Sequence, residues 1–419
     1  ADYYYWRDSD RYYNKSIEAC QKLLALYPED NMGNFIAGVI YNNLDEFDQA
    51  ARHLEVCRRN RYEWRDAYSS LALAYRASGH YDKAQDALEF FLVEVGDSAS
   101  VRDALAELYL AQGKLEQADQ EIDRAMTLDP TMYDNFVTAG NAFLLRGNLA
   151  EAEKESDKLF QHRAPIASYF GCLGRAGVSL VQGKFERIPE GMKQTAELAA
   201  NLGAKVAASE LYRRAAYACL RAGKPREAQV ECRQALDWAV AADSIFEQLM
   251  ALHLRGVIEL ENDSLDAAEN TAEQLKALIE ASLYKKEIRR YQHLRGLIDL
   301  KQKDYSKAIK GLEAAVGSLP YSPLEKDALF LDGLAEAYFA SGDLEKARAE
   351  YEKIGVLTTG RLDYGDIYVR SFYWLGRIAE QKGLKDRARE NYRKFLDLWK
   401  DADPGLRVVE DAKKRLGAL

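Results

Sequence analysis

The residue types that could do chemistry are few, and their spacing does not bring them together. Five histidines (His53, His80, His162, His253 and His293) never fall in the H-x-x-x-H spacing that sets two imidazoles on one helix face for a metal. GKL at 113–115, GKF at 183–185 and GKP at 223–225 share the end of a phosphate loop. They lack its upstream glycine and its following Ser or Thr. DADPG at 401–405 has too few spaced oxygens for a calcium loop. The five cysteines (Cys20, Cys57, Cys172, Cys219 and Cys232) are an odd number with no C-x-x-C pair. They fit buried thiols in a reducing compartment better than a disulfide framework or a zinc site. No nucleophile, base and metal ligand converge, so the chain reads as non-catalytic, with no cofactor and no metal. Binding is the chemistry that is left.

Charge narrows what could be bound. The net charge is −9, so the chain as a whole lacks the basic footprint that releases counterions from nucleic-acid phosphates. With 47% hydrophobic and 30% charged residues it has the composition of a folded, soluble chain. No apolar run approaches the ~18 residues that cross a bilayer. No membrane contact is expected, and the expected setting is the cytoplasm.

The elements that must position any binding residue are helices in a repeat. Eight prolines fall between long helix-periodic stretches, and no β-branched run alternates with polar residues between turn signals. HLRGVIELENDSLDAA at 253–268 returns as HLRGLIDLKQKDYSKA at 293–308. The residue that ends each string recurs as Ser16, Ala50, Ala84, Ala118, Ala152, Ile188, Ala228, Ala268, Ala308, Ala347 and Ala388. An apolar side chain usually stands three residues before it, and a glycine stands five before it in seven units. Glycine takes the left-handed turn conformation where one helix must stop and reverse, and the small residue lets the next helix approach closely. Pro28, Pro130 and Pro320 close their units twelve residues later. Each unit is a helical hairpin: helix A, tight turn, helix B.

These spacings, best seen in AYSSLALAYRASGHYDKAQDALEFF (67–91) and ALFLDGLAEAYFASGDLEKARAEYEKI (328–354), resemble the tetratricopeptide repeat. The resemblance covers essentially the whole chain. It implies an all-α, right-handed α-α superhelical solenoid of about eleven hairpins, closed by a C-terminal capping helix. The intervals between small residues run 34, 34, 34, 34, 36, 40, 40, 40, 39 and 41. We therefore expect units of 34-residue period over 1–165, longer units over 166–402 and a capping helix over 403–419. The extra residues are expected to lengthen the helices, with a seam near 160–190. The cap is expected to bury the stripe Leu406, Val409, Ala412 and Leu416.

In such a stack the A helices line the concave wall, and three positions of each point inward. In the N-terminal half these carry Asp66, Asp103, Glu107, Asp134 and Asn141. In the C-terminal half they carry Arg213, Tyr217, His253, Arg290, His293, Arg370, Tyr373 and Arg377, opposed by Glu210, Asp332 and Glu336. The expected groove is acidic at one end and more basic and aromatic at the other; the alternative is that these are solvated polar faces. No unit has the Lys/Asn pair with which some members hold a partner's C-terminal carboxylate. KKEIRRYQHLRG (285–296) either meets an acidic segment or is an exposed helix face. Arg255 and Arg295 either pair with a neighbouring unit or face the groove. The aromatic surplus of TTGRLDYGDIYVRSFYWLGR (358–377) is core packing or a ligand contact.

The strings LEKARAEYEKIGVLTTGRLDYGDIYVRSFYWLGRIAEQ and NYRKFLDLWKDADPGLRVVEDAKKRL are similar to the C-terminal part of long repeat regions in a group of bacterial multidomain signalling proteins. There the repeats follow an N-terminal effector, often a Ser/Thr kinase, winged-helix or cyclase-type module. The resemblance implies a protein- or peptide-binding scaffold serving an attached effector. The alternative is a ligand-sensing solenoid that changes superhelical pitch around a small molecule or signal peptide. None of the kinase motifs occurs in this chain. The opening ADYYYWRDSDRYYN reads as most of a first A helix, whose aromatics an upstream helix would cover.

Overall fold

The computed structural model describes residues 13–419; the aromatic opening lies outside them. Among the described residues there are 22 α-helices and no strand. The first, α1 (Tyr13–Leu26), is the B helix of the first unit. Ten complete hairpins follow. The N-terminal ones are α2 (Asn31–Asn43) with α3 (Phe47–Arg59), α4 (Arg65–Ala77) with α5 (Tyr81–Glu94), α6 (Ala99–Ala111) with α7 (Leu115–Leu128), and α8 (Tyr133–Arg146) with α9 (Leu149–Gln161). Then come α10 (Pro165–Gln182) with α11 (Ile188–Asn201), α12 (Lys205–Arg221) with α13 (Pro225–Ala241), and α14 (Ile245–Glu261) with α15 (Leu265–Ala281). The last are α16 (Ile288–Lys301) with α17 (Tyr305–Gly317), α18 (Ala328–Ser341) with α19 (Leu344–Gly355), and α20 (Gly365–Gln381) with α21 (Lys385–Leu398). The cap is α22 (Arg407–Ala418), which buries Val409 and Ala412.

The small-residue column is the hinge point of every complete hairpin. From Ala50 to Ala388 each member is buried, Ile188 included. The turn residue five places earlier has positive φ in all ten hairpins. The seven glycines supply it in seven of them, while Asp45, Asp263 and Lys303 take it at φ of 58°, 56° and 65°. Geometry therefore demands the conformation even where a side chain makes it costly.

The longer units spend their extra residues in two ways. The helices α10 and α12 to α15 have 17 or 18 residues, against 13 or 14 in α2 to α9. From α16 to α19 the expectation of longer helices fails. These have 14, 13, 14 and 12 residues, and the surplus goes into connecting segments, among them 318–327 and 356–364.

Those segments, with Trp399 at the end of α21, close the superhelix on itself. The carbonyls of Ala77, Ala111, Leu145 and Val181, each seven residues before its small residue, sit at the ends of α4, α6, α8 and α10, where no intrahelical donor remains. The Tyr321 amide donates to the first at 2.8 Å, and the Thr358 hydroxyl to the second at 2.7 Å. Arg361 Nη2 donates to the third at 2.6 Å, and the Trp399 indole to the fourth at 3.1 Å. Arg76 also pairs with Glu325 at 2.7 Å. The cores follow the same closure, since Ile40 and Leu44 share a cluster with Leu249, Leu294 and Ile298. The seam is thereby clamped: Trp399 meets Phe185 edge-on at 5.6 Å, and the Asp403 amide donates to Gly183 O at 3.0 Å.

The basic run at 285–296 takes part in this closure. Arg289 pairs with both Asp45 and Glu287, and Lys286 lies 3.9 Å from Glu46. It meets an acidic turn of its own chain. Arg255 and Arg295 pair four residues along their own helices, with Glu259 at 2.8 Å and Asp299 at 3.0 Å. Arg295 also lies 3.7 Å from Glu269 of the preceding unit.

Candidate functional site

The A helices α10, α12, α14 and α16, with residues 362–364 laid across them, enclose a cavity of about 310 Å³. Arg213, Tyr217, His253 and Arg290, expected inward from their repeat positions, all line it. Arg213 lies between Glu210 at 3.8 Å and Glu247 at 3.6 Å. Arg214 pairs with Glu210 and Asp363, each at 2.9 Å. The Tyr217 hydroxyl donates to Asp366 at 2.9 Å, and its ring meets Tyr364 edge-on at 5.3 Å. Arg221 reaches the same fully buried Asp366 at 2.8 Å. Arg290 lies 2.6 Å from Glu287 with its guanidinium 5.7 Å from the Phe330 ring. Met192, Met250, Leu254 and Val257 supply an apolar floor.

This wall is a lattice of guanidinium–carboxylate pairs and not the basic end the sequence suggests. The physical reason is burial: an unpaired guanidinium in a water-poor enclosure is costly, so each has acquired a carboxylate. Arg370 follows the rule, lying 3.5 Å from Asp332 and 3.9 Å from Asp366. Loss of water pushes Asp327 up to about 6 and Glu336 up to about 7.

His293 lines no part of the cavity. It is buried between units, with Nε2 3.3 Å from Leu329 O and its ring 4.7 Å from Phe330. Burial pushes His293 down to about 4 and His253 well below the usual imidazole range. Tyr373 and Arg377 are turned to the cap. The Tyr373 hydroxyl donates to Asp411 at 2.7 Å, and Arg377 donates to Tyr373 Oη at 2.9 Å. Beside the last unit, α22 holds the place that the next A helix holds elsewhere in the stack.

In the N-terminal half Asp103, Glu107 and Asp134 form an acidic group. Asp103 is buried, and loss of water raises its carboxyl well above the usual range, with Glu107 next in effect. The lumen walls raise Glu107 as well, against the pull of Arg76. Asp134 is pushed up to about 6, first by burial and then by Glu107. Asn141 lines a second cavity of about 280 Å³, with Val137, Thr359 and Phe170. Leu173, Gly177, Leu362 and Asp363 border both cavities, so the two adjoin.

Among the described residues no three or more His, Cys, Asp or Glu gather as a metal site, and no helix is long and apolar enough to cross a membrane. All five thiols are free and buried, and burial raises each, Cys232 to about 12.

Family models of the tetratricopeptide repeat match residues 70–133, 293–355 and 369–398. Paired helices in register with those matches run from end to end of the described chain. The matched stretches are tetratricopeptide repeats. No curated protein matches the chain. Among solved structures it is similar to a Rap protein complexed with competence and sporulation factor, at 13% identity over 80% of this chain and 98% of that one, with a TM-score of 0.48. Human IFIT1 with m7Gppp-AAAA aligns at 17% identity over 84% and 80%, with a TM-score of 0.45. A tetratricopeptide repeat protein from Parabacteroides merdae aligns at 16% identity over 68% and 97%, with a TM-score of 0.39.

In tetratricopeptide terms, the inward positions found five residues of the first cavity, Glu210, Arg213, Tyr217, His253 and Arg290, and missed Arg214, Asp363 and Tyr364. Arg214 follows Arg213 directly, and the paired arginines were a readable signal. Asp363 and Tyr364 lie in the surplus of the final full unit, outside the repeat pattern.

Proposed function

We propose that this chain is a non-catalytic peptide-binding scaffold that holds a short segment of a partner protein in its lumen. The observation that carries this reading is the pair of adjoining cavities along the A helices. Side by side they offer apolar floor, aromatic edges and paired charges. A buried, mixed lining of this kind suits a backbone with alternating side chains. That it is the regulatory or recruitment region of a bacterial signalling protein, joined to an effector, rests on the sequence resemblance. The cytoplasmic setting rests on the buried free thiols.

The test is selection of displayed peptides on the full chain, followed by calorimetry on the winners. Arg213→Gln should weaken them by about tenfold or more while the circular dichroism stays unchanged. Undiminished affinity would remove the lumen from the reading. The second reading, a sensor that changes superhelical pitch, is favoured by the segments that tie distant units together. Small-angle scattering should then show compaction when a selected peptide is added, which a rigid scaffold does not give.

A further inference from the structure

Residues 358–364 are anchored at one end and poised over the cavity at the other. Thr358 Oγ1 donates to Ala111 O at 2.7 Å, and Arg361 binds Leu145 O with its guanidinium 4.0 Å from the Tyr368 ring. Beyond these anchors Leu362, Asp363 and Tyr364 form the roof. Among the carboxylates paired with Arg213, Arg214 and Arg290, Asp363 alone is exposed. Its side chain is 63% accessible, against 6% for Glu210, 1% for Glu247 and 4% for Glu287. The buried three sit beside the A-helix guanidiniums they neutralise. Asp363 is brought in by a connecting segment, and its bond to Arg214 is the polar tie between roof and wall, beside the edge-on contact of Tyr364 with Tyr217 and the packing of Leu362.

We propose that Asp363 occupies a carboxylate subsite: a ligand carrying a carboxylate replaces it on Arg214 and lifts residues 362–364 from the cavity. This rests on the reading of the lumen as a peptide site and names the group of the peptide that opens it. Exchange of one carboxylate for another keeps Arg214 neutralised throughout, so the swap avoids the cost of leaving a guanidinium with too little counter-charge. A neutral ligand offers no such exchange. An amine would join Asp363 instead of displacing it. The carboxylate comes from an acidic side chain or from a free C-terminus, and the chemistry at Arg214 is the same.

Hydrogen–deuterium exchange on the full chain tests this, read at the amides of 361–366. Asp363→Asn should speed exchange there by about tenfold while leaving 318–327 as in the parent. Glutarate should speed the same amides in the parent protein, whereas glutaramide and 1,5-diaminopentane should not. Glutarate should also bind Asp363→Asn more tightly, because the internal competitor is gone. Acetyl-tetraglycyl-glutamic acid amide and acetyl-pentaglycine with a free C-terminus separate the two sources, and opening by either supports the proposal. Parent-like protection in Asp363→Asn, or glutaramide acting as well as glutarate, overturns it. If no selected peptide binds the lumen but glutarate opens the roof, the scaffold reading falls and this one stands. If peptides bind and Asp363→Asn changes nothing, the reverse holds.

Discussion

His253 Nε2 lies 3.0 Å from His293 Nδ1, joining two imidazoles 40 residues apart on neighbouring A helices. His293 Nε2 faces the Leu329 carbonyl at 3.3 Å and must donate there. Its Nδ1 therefore accepts, and the shared proton belongs to His253 Nε2. Both imidazoles are neutral in the folded chain at neutral pH, since burial lowers their affinity for a further proton. The folded value of His293, about 4, lies below its ordinary 6.5, so the unfolded chain binds protons that the folded chain refuses. This part of the stability is intact above about 6.5 and is lost as pH falls toward about 4. Urea titrations at pH 7.5 and 4.5 should show the parent losing about 2 kcal/mol more than His293→Phe over that interval.

Arg76 and Glu325 form a bond across the superhelix at 2.7 Å, with Glu325 almost wholly buried and also accepting from Tyr81. Replacing Arg76 by Ala leaves a buried carboxylate without its guanidinium, at a cost of about 3 kcal/mol. Calorimetry should then show the single unfolding transition broaden or split, because the two halves are no longer tied at that point.

Gly296 stands against the hairpin partner of its own unit. A Cβ there would lie 2.6 Å from Leu312 Cγ and 3.2 Å from Ala308 O, and the carbonyl cannot move aside cheaply. Gly296→Ala should destabilise by about 1–3 kcal/mol despite its better helix propensity, read as a lower urea midpoint.

Arg377 serves the cap, through Tyr373 and Asp411. Arg377→Ala should free α22, seen as faster amide exchange over 407–418, and leave peptide affinity in the lumen unchanged. A loss of affinity with α22 still protected would return Arg377 to the binding wall.

What could be read from the sequence was whatever each unit does for itself. The small-residue column is buried in every complete hairpin, and the turn position keeps positive φ even at Lys303, where no glycine announces it. The i to i+4 pairs of Arg255 with Glu259 and Arg295 with Asp299 are equally local. What could not be read is what joins Arg361 to Leu145, or Thr358 to Ala111, over 216 and 247 residues. No local periodicity encodes a partner that far away. Its one trace in the sequence is surplus length, which does not say whether helices or connecting segments take it up. The inward positions found the guanidiniums of the lumen, whereas the carboxylates that neutralise them came partly from positions the repeat does not specify.

The four equivalent carbonyls at Ala77, Ala111, Leu145 and Val181 have a consequence for how such a chain can change over generations. An open solenoid gains or loses whole units by duplication or deletion, because each touches only its neighbours. Here, one unit added between the tied regions would move every donor past its carbonyl by a full hairpin. The number of repeats is fixed by the closure, and variation must fall on the lining of the lumen instead of on the length of the stack.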